Sequence, residues 1–226
     1  SNSEKFELEV LREVKPEYGS DWRKGEASGI DMGLLEHSLR LTPWERLLEH
    51  QRAFELVQML QKAKIKGMDN LNNILQRLHQ SHVEFVLVGG LAAVVHGVTL
   101  LTRDVDICCR FSEENLMRIQ QAVTDLHPVH RSRPDLPLAL TPQQCATLKN
   151  LYLKTDLGVL DCIAEVLGIG DFEDVLKNSV IAELPFGEIR VLDIDALIQA
   201  KEAMHRDHDI ITVKHLKTIK SQQSKT

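Results

Sequence analysis

Asp104 and Asp106 stand two positions apart in the run Arg103-Asp104-Val105-Asp106-Ile107. Side chains at i and i+2 of a strand leave the same face, so the two carboxylates stand side by side while Val105 and Ile107 turn into the core. Adjacent carboxylates repel, and burial raises the cost of their charge. Such a pair is expected to be neutralised by a divalent cation, and oxygen-only ligands favour magnesium or manganese over zinc. Upstream, the apolar run Phe85–Val88 ends at Gly89-Gly90, and residues 91–96 read as a short helix stopped by Gly97. Without Cβ atoms, backbone at the glycine pair can come close to a phosphate, which the first N–H groups of the helix can bind.

The elements that must position these residues follow from periodicity. Thr42-Pro43-Trp44-Glu45 is a capping box with proline at the first helical position, and apolar residues at near-helical spacing follow to about Lys64. Gly67 stops that helix, and Asp69 caps a second one with the stripe Leu71, Ile74, Leu75 and Leu78. His79 and His82, near its end, read as solvent-facing. Ser112-Glu113-Glu114-Asn115 opens a further helix, and the strand–helix–strand–helix order to this point implies a sheet with crossover packing. Residues 127–137, with three prolines, Arg131 and Arg133, read as a loop, either a solvated connector or a basic flap over substrate.

Runs 151–155 and 159–164 flank the hairpin-like turn Asp156-Leu157-Gly158. Asp161, the one acid at the centre of an apolar run, then falls on a strand beside the one bearing Asp104 and Asp106. Asp156 belongs to the turn, where aspartate commonly bonds to local backbone. A short helix over 172–176 and a second hairpin around Pro185-Phe186-Gly187 come next. Asp193 or Asp195 starts the last helix, and a further helical piece covers 213–219.

Val88-Gly89-Gly90 followed by Asp104-Val105-Asp106-Ile107 resembles the signature of the DNA polymerase β-type nucleotidyltransferase superfamily. The phrase V-G-G-L-A-A-V-V-H-G ending in T-R-D-V-D-I is most similar to the bacterial group that includes the AbiEii-type toxins. The resemblance covers roughly residues 83–216. It implies an α+β fold, a mixed β-sheet flanked by helices with a helical N-terminal extension, and magnesium-dependent transfer of a nucleoside monophosphate from an NTP to a hydroxyl acceptor. Asp104, Asp106 and Asp161 would hold Mg2+ or Mn2+, with Asp161 helping to deprotonate the acceptor. Gly89 and Gly90, with Arg103, would contact the nucleotide. K-E-A-M-H-R-D-H-D resembles a late lysine–arginine–aspartate element, which would set Lys201 toward the triphosphate with Arg206 and Asp209 organising the site. Read from the residues alone, Lys201 is equally a surface lysine, and Arg206 with Asp209 an i,i+3 pair. Many relatives carry an arginine where this chain has Leu100, so any phosphate contact from that position falls to another residue, such as Arg103.

The expected organisation is a charged, partly ordered arm over 1–36, a helical extension over 37–80, the nucleotidyltransferase core over 81–192, and C-terminal helices over 193–226 that complete the site. Net charge is −6, which argues against a protein coated with nucleic acid but not against a local basic groove. Four cysteines without C-x-x-C spacing read as buried free thiols in a reducing cytoplasm, and no zinc site is expected. No apolar run approaches the ~20 residues of a membrane span, and no membrane association is expected. RNA such as tRNA, a protein and a small molecule all stand as acceptors, since acceptor choice sits in surfaces grafted on the fold. A toxin–antitoxin role would add a partner protein. Two other readings share the D-x-D: a non-catalytic binding partner with this fold, and a metal-dependent glycosyltransferase.

Overall fold

The computed structural model describes residues 20–60 and 71–223. The Gly67 stop and the Asp69 cap lie outside them, as do the first 19 residues of the expected arm. Helix α1 (Ser20–Ala27), α2 (Met32–Arg40) and α3 (Pro43–Leu60) open the described chain. Within the stretch read as arm, residues 20–27 and 32–36 are helical. Gly25 allows α1 close to the last helix, since a Cβ there would lie 2.8 Å from the Thr218 hydroxyl. The α3 capping box forms as expected: the Thr42 hydroxyl accepts from the Glu45 N–H at 3.3 Å, and the Glu45 carboxylate accepts from the Thr42 N–H at 2.8 Å. Leu47, His50 and Phe54 are buried along its inner stripe.

Helix α4 (Leu71–Gln80) buries Leu71, Ile74, Leu75 and Leu78. His82 is exposed, but His79 is half-buried, its ring 5.8 Å from that of Phe186. Next come β1 (Phe85–Val88), α5 (Gly89–His96), β2 (Asp104–Cys109) and α6 (Glu113–Val123). The chain continues through β3 (Val129–His130), β4 (Arg133–Pro137), the short α7 (Pro142–Cys145), β5 (Asn150–Thr155) and β6 (Gly158–Ile163). A small β7 (Glu165–Val166) and β8 (Gly170–Asp171) pair precedes α8 (Phe172–Lys177), β9 (Ser179–Leu184) and β10 (Gly187–Leu192). Helices α9 (Ile194–Met204) and α10 (Asp207–Gln223) close the chain.

Eight strands form one mixed sheet in the order β4-β3-β5-β6-β2-β1-β10-β9, flanked by helices. The fold is therefore α+β, as expected. Two expectations change. β1 and β2 are neighbours and antiparallel, so α5 is an excursion between adjacent strands and not a parallel crossover. A period-two apolar pattern shows which face a strand buries but says nothing of its direction. Residues 127–137 are no loop: β3 and β4 form a hairpin at the sheet edge. Its prolines are compatible with strand there because edge positions can do without the missing N–H. The last helix is also longer than expected, with Asp209 inside it.

Packing around the glycine helix fixes the site. α5 contacts β1, β2 and β10 and is enclosed by α3, α9 and α10. Gly97, at φ 113, ends it in the left-handed conformation expected of a stop signal. Arg46 of α3 reaches the carbonyl of Val95 at that end, and its remaining nitrogens donate to Ser38 and Leu39 carbonyls at 2.9 and 3.3 Å. One guanidinium so satisfies carbonyls at the C-terminal ends of both α2 and α5. All four cysteines are buried and free.

Candidate active site

Three carboxylates reach one cleft from neighbouring strands. β2 and β6 are parallel, and their register sets Asp106 opposite Asp161 and Asp104 opposite Val159. Val105 and Ile107 are buried, so Asp104 and Asp106 share the other face, as their spacing predicts. On the far side of Asp161, its partner on β5 is Tyr152. Beyond that, the Arg131 N–H donates to the Tyr152 carbonyl at 2.9 Å. A single row across the sheet therefore reads Asp106, Asp161, Tyr152, Arg131, and all four line a cleft of about 470 Å³ with Asp104, Gly89, Gly90, Lys201 and Arg206.

The glycine pair is required first by the acid beside it. A Cβ on Gly89 would lie 2.1 Å from Asp106 Oδ2, and Gly89 also has φ +66. A Cβ on Gly90 would lie 2.6 Å from the Thr102 hydroxyl. The Gly90 N–H donates to Asp106, so the carboxylate rests against the N-terminus of α5. Thr102 is held in turn from α3, where the buried His50 Nε2 accepts from the Thr102 N–H at 2.9 Å. Burial holds the His50 pKa below its usual value, consistent with a neutral ring that accepts.

Electrostatically the acids are under-compensated. Burial first, then the charges of Asp161 and Asp104, push Asp106 up to about 6, against smaller pulls from the Gly90 N–H and Lys201. Asp161 is also raised, chiefly by burial, while Arg131 draws it down. Arg131 donates to Asp161 Oδ2 at 2.7 Å, whereas Oδ1 is buried with no hydrogen-bond partner.

Across the cleft, Asp193 caps α9 by accepting from the Ala196 N–H, and His205 ends that helix at φ 50. This turn brings α10 back so that Lys201 Nζ meets Asp209 Oδ1 at 2.7 Å, with side-chain exposures of 8% and 3%. Lys201 is thus neither a surface lysine nor a free cation; it faces the cleft as half of a buried pair. Arg206 is exposed and lines the cleft mouth. Arg103 is not brought into the site. Lying between Thr102 and Asp104, it points outward, its guanidinium 6.0 Å from the Phe54 ring. Leu100 lines the cleft, and the guanidinium that reaches the acids is Arg131.

Sequence reasoning missed His50, Tyr152 and the ion-pairing role of Arg131. His50 carried a weak signal, since it sits on the apolar stripe of α3 between Leu47 and Phe54.

Among the described residues, no group of three or more His, Cys, Asp and Glu side chains is arranged to hold a metal ion. The donor chemistry nevertheless fits one hard divalent cation: two adjacent carboxylates on β2, and a third, on β6, with a buried, unbonded oxygen. Oxygen-only donors of this kind suit magnesium or manganese. No helix of the described residues is long and apolar enough to cross a membrane.

No family model matches the chain, and no curated protein does. Among solved structures, a candidate nucleotidyltransferase from Thermotoga maritima, TM1012, aligns at 18% identity over 69% of this chain and 91% of its own, with a TM-score of 0.42. The antibiotic-resistance factor ANT(2'')-Ia aligns at 15% identity over 68% of this chain and 82% of its own, with a TM-score of 0.43. Likenesses of this strength leave the reading of the site to its own residues.

Proposed function

We propose that this chain is a nucleotidyltransferase of the DNA polymerase β type, transferring a nucleoside monophosphate from an NTP to a hydroxyl acceptor. The observation that carries this reading is the set Asp104, Asp106 and Asp161 on adjacent strands of one cleft, with Asp106 pushed up to about 6 by burial and by the charges of Asp161 and Asp104. Asp104 and Asp106 would hold Mg2+ or Mn2+, with Asp161 as the third donor. When bound, that ion supplies positive charge to the phosphate oxygens and lowers the pKa of the acceptor hydroxyl.

The acceptor oxygen attacks the α-phosphorus, and the bond from that phosphorus to pyrophosphate breaks. Asp161, which lines the cleft, takes the acceptor's proton. Backbone at Gly89 and Gly90 lines the cleft where the phosphates approach, and Lys201 and Arg206 set positive charge along the path of the departing pyrophosphate. Lys201 does so while paired to Asp209, which fixes where its ammonium sits.

Incubation with each α-labelled NTP and magnesium, in the presence of total RNA or of cell lysate, tests the proposal. Label transfer that Asp104→Ala and Asp106→Ala abolish is the expected result. The identity of the labelled fraction assigns the acceptor. A toxin role would appear as growth arrest on expression that depends on the same two acids.

The Arg131–Asp161 ion pair favours a second reading, a non-catalytic binding partner that keeps the cleft without turnover. Calorimetry separates the two. NTP binding that needs a divalent cation and is lost in Asp104→Ala supports the enzyme, whereas no NTP binding by the intact chain supports the partner.

A further inference from the structure

Arg131 leaves β3 on the edge hairpin, and its guanidinium has two neighbours. Asp161 Oδ2 lies at 2.7 Å, and the Tyr152 ring centroid at 5.1 Å. The two partners of the ion pair are unequally fixed. Asp161 is 10% exposed on a central strand, whereas Arg131 is 43% exposed at the rim. The acid is therefore held and the cation is the partner free to move. The guanidinium also takes only one carboxylate oxygen, leaving Oδ1 without a hydrogen bond. A guanidinium beside a tyrosine face has a favourable place to rest without the acid. Tyr152 is itself 41% exposed, so its ring has room for that contact to persist.

We propose that Arg131 is an exchangeable counter-ion for Asp161 that sets the affinity of the cleft for a divalent cation. Guanidinium and metal ion compete for one carboxylate, and the guanidinium withdraws onto Tyr152 when the ion binds. This rests on the cation-dependent reading of the three acids. The competition follows from charge: two cations at one carboxylate repel, and the doubly charged, compact ion draws more from the neighbouring Asp104 and Asp106 than the guanidinium does. Arg131 thereby keeps Asp161 balanced while no ion is bound, at the expense of affinity for the ion.

Titration of the full chain with manganese chloride alone, followed by calorimetry, tests this without any turnover. Arg131→Ala is expected to bind Mn2+ about fivefold more tightly than the unsubstituted chain, the scale of a partly exposed ion pair. Arg131→Lys keeps the charge but loses the planar contact with Tyr152 and is expected to tighten binding only slightly. In an Asp161→Asn background the Arg131→Ala gain should largely vanish. Circular dichroism confirms that each variant folds, and the lysine variant carries the test if the alanine variant does not. Equal or weaker Mn2+ binding by Arg131→Ala overturns the proposal, as does an undiminished gain in the Asp161→Asn background. If Mn2+ binding by the unsubstituted chain depends on Asp104 and Asp106 but ignores Arg131, this inference fails and the proposed function stands. If neither chain binds Mn2+, both fail.

Discussion

Two ionic groupings face each other across the cleft on opposite terms. On the helical wall, Lys201 and Asp209 form a nearly solvent-free pair in which each charge has its opposite at 2.7 Å. On the sheet wall, Asp104, Asp106 and Asp161 are set into strands with one guanidinium among them, and that one comes from the sheet edge. The first grouping is closed and braces α9 against α10. The second is left short of positive charge, and residues in such a state cost the fold stability that packing elsewhere must offset. Local imbalance of this sort separates the two groupings better than burial does, because Asp161 is as buried as Lys201.

The largest test of this contrast is Lys201→Ala, which takes the cation from the closed pair. We expect a loss of about 3 kcal/mol in urea unfolding. A change under about 1 kcal/mol would show that the pair does not brace the helices. Asp106→Asn should move stability the other way. It removes the most strained charge while keeping an oxygen to accept from the Gly90 N–H, and a gain on the order of 2 kcal/mol at pH 7 without divalent cation is expected. The gain should shrink or reverse when magnesium is added.

The pH dependence sharpens the same point. The Asp106 carboxyl titrates at about 6 in the folded chain against an ordinary value of 3.8. Between those values the folded state holds the extra proton, so its contribution lowers stability as pH rises from 3.8 to about 6 and is level outside that window. Subtracting the Asp106→Asn profile from that of the unsubstituted chain isolates this slope, and a flat difference would refute it. Divalent cation affinity should fall as pH drops through about 6, when the proton competes for Asp106. The smallest effect is on the titration midpoint itself. Asp104→Asn should lower that of Asp106 by less than Asp161→Asn does, because Asp161 exerts the larger repulsion. Carbon-13 NMR of the labelled carboxyl reads both.

Much of the sheet wall was legible in the sequence because its information is local. The i, i+2 spacing of Asp104 and Asp106 sets their common face, and the turn at 156–157 sets the β5–β6 register that carries Asp161 opposite Tyr152. What stayed hidden depends on contacts between distant residues. His50 holds Thr102 from 52 positions away. Lys201 reaches Asp209 only because the chain reverses at the left-handed His205, a conformation that histidine spacing does not announce. Arg131 follows the two-residue β3 at the turn of the edge hairpin, which three prolines in its neighbourhood concealed. Arg103 adjoins the acids in sequence but precedes β2, and its guanidinium lies 6.0 Å from the Phe54 ring.

The Arg46 guanidinium, plugged into the ends of α2 and α5, gives the N-terminal helices a mechanical tie to the acidic cleft. Without α2 and α3 the tail of α5 would lose that guanidinium, and its glycine-bearing front end would be free to drift from Asp106. A shortened form lacking those helices is therefore an unsuitable reagent for judging what the acids of the intact chain can do.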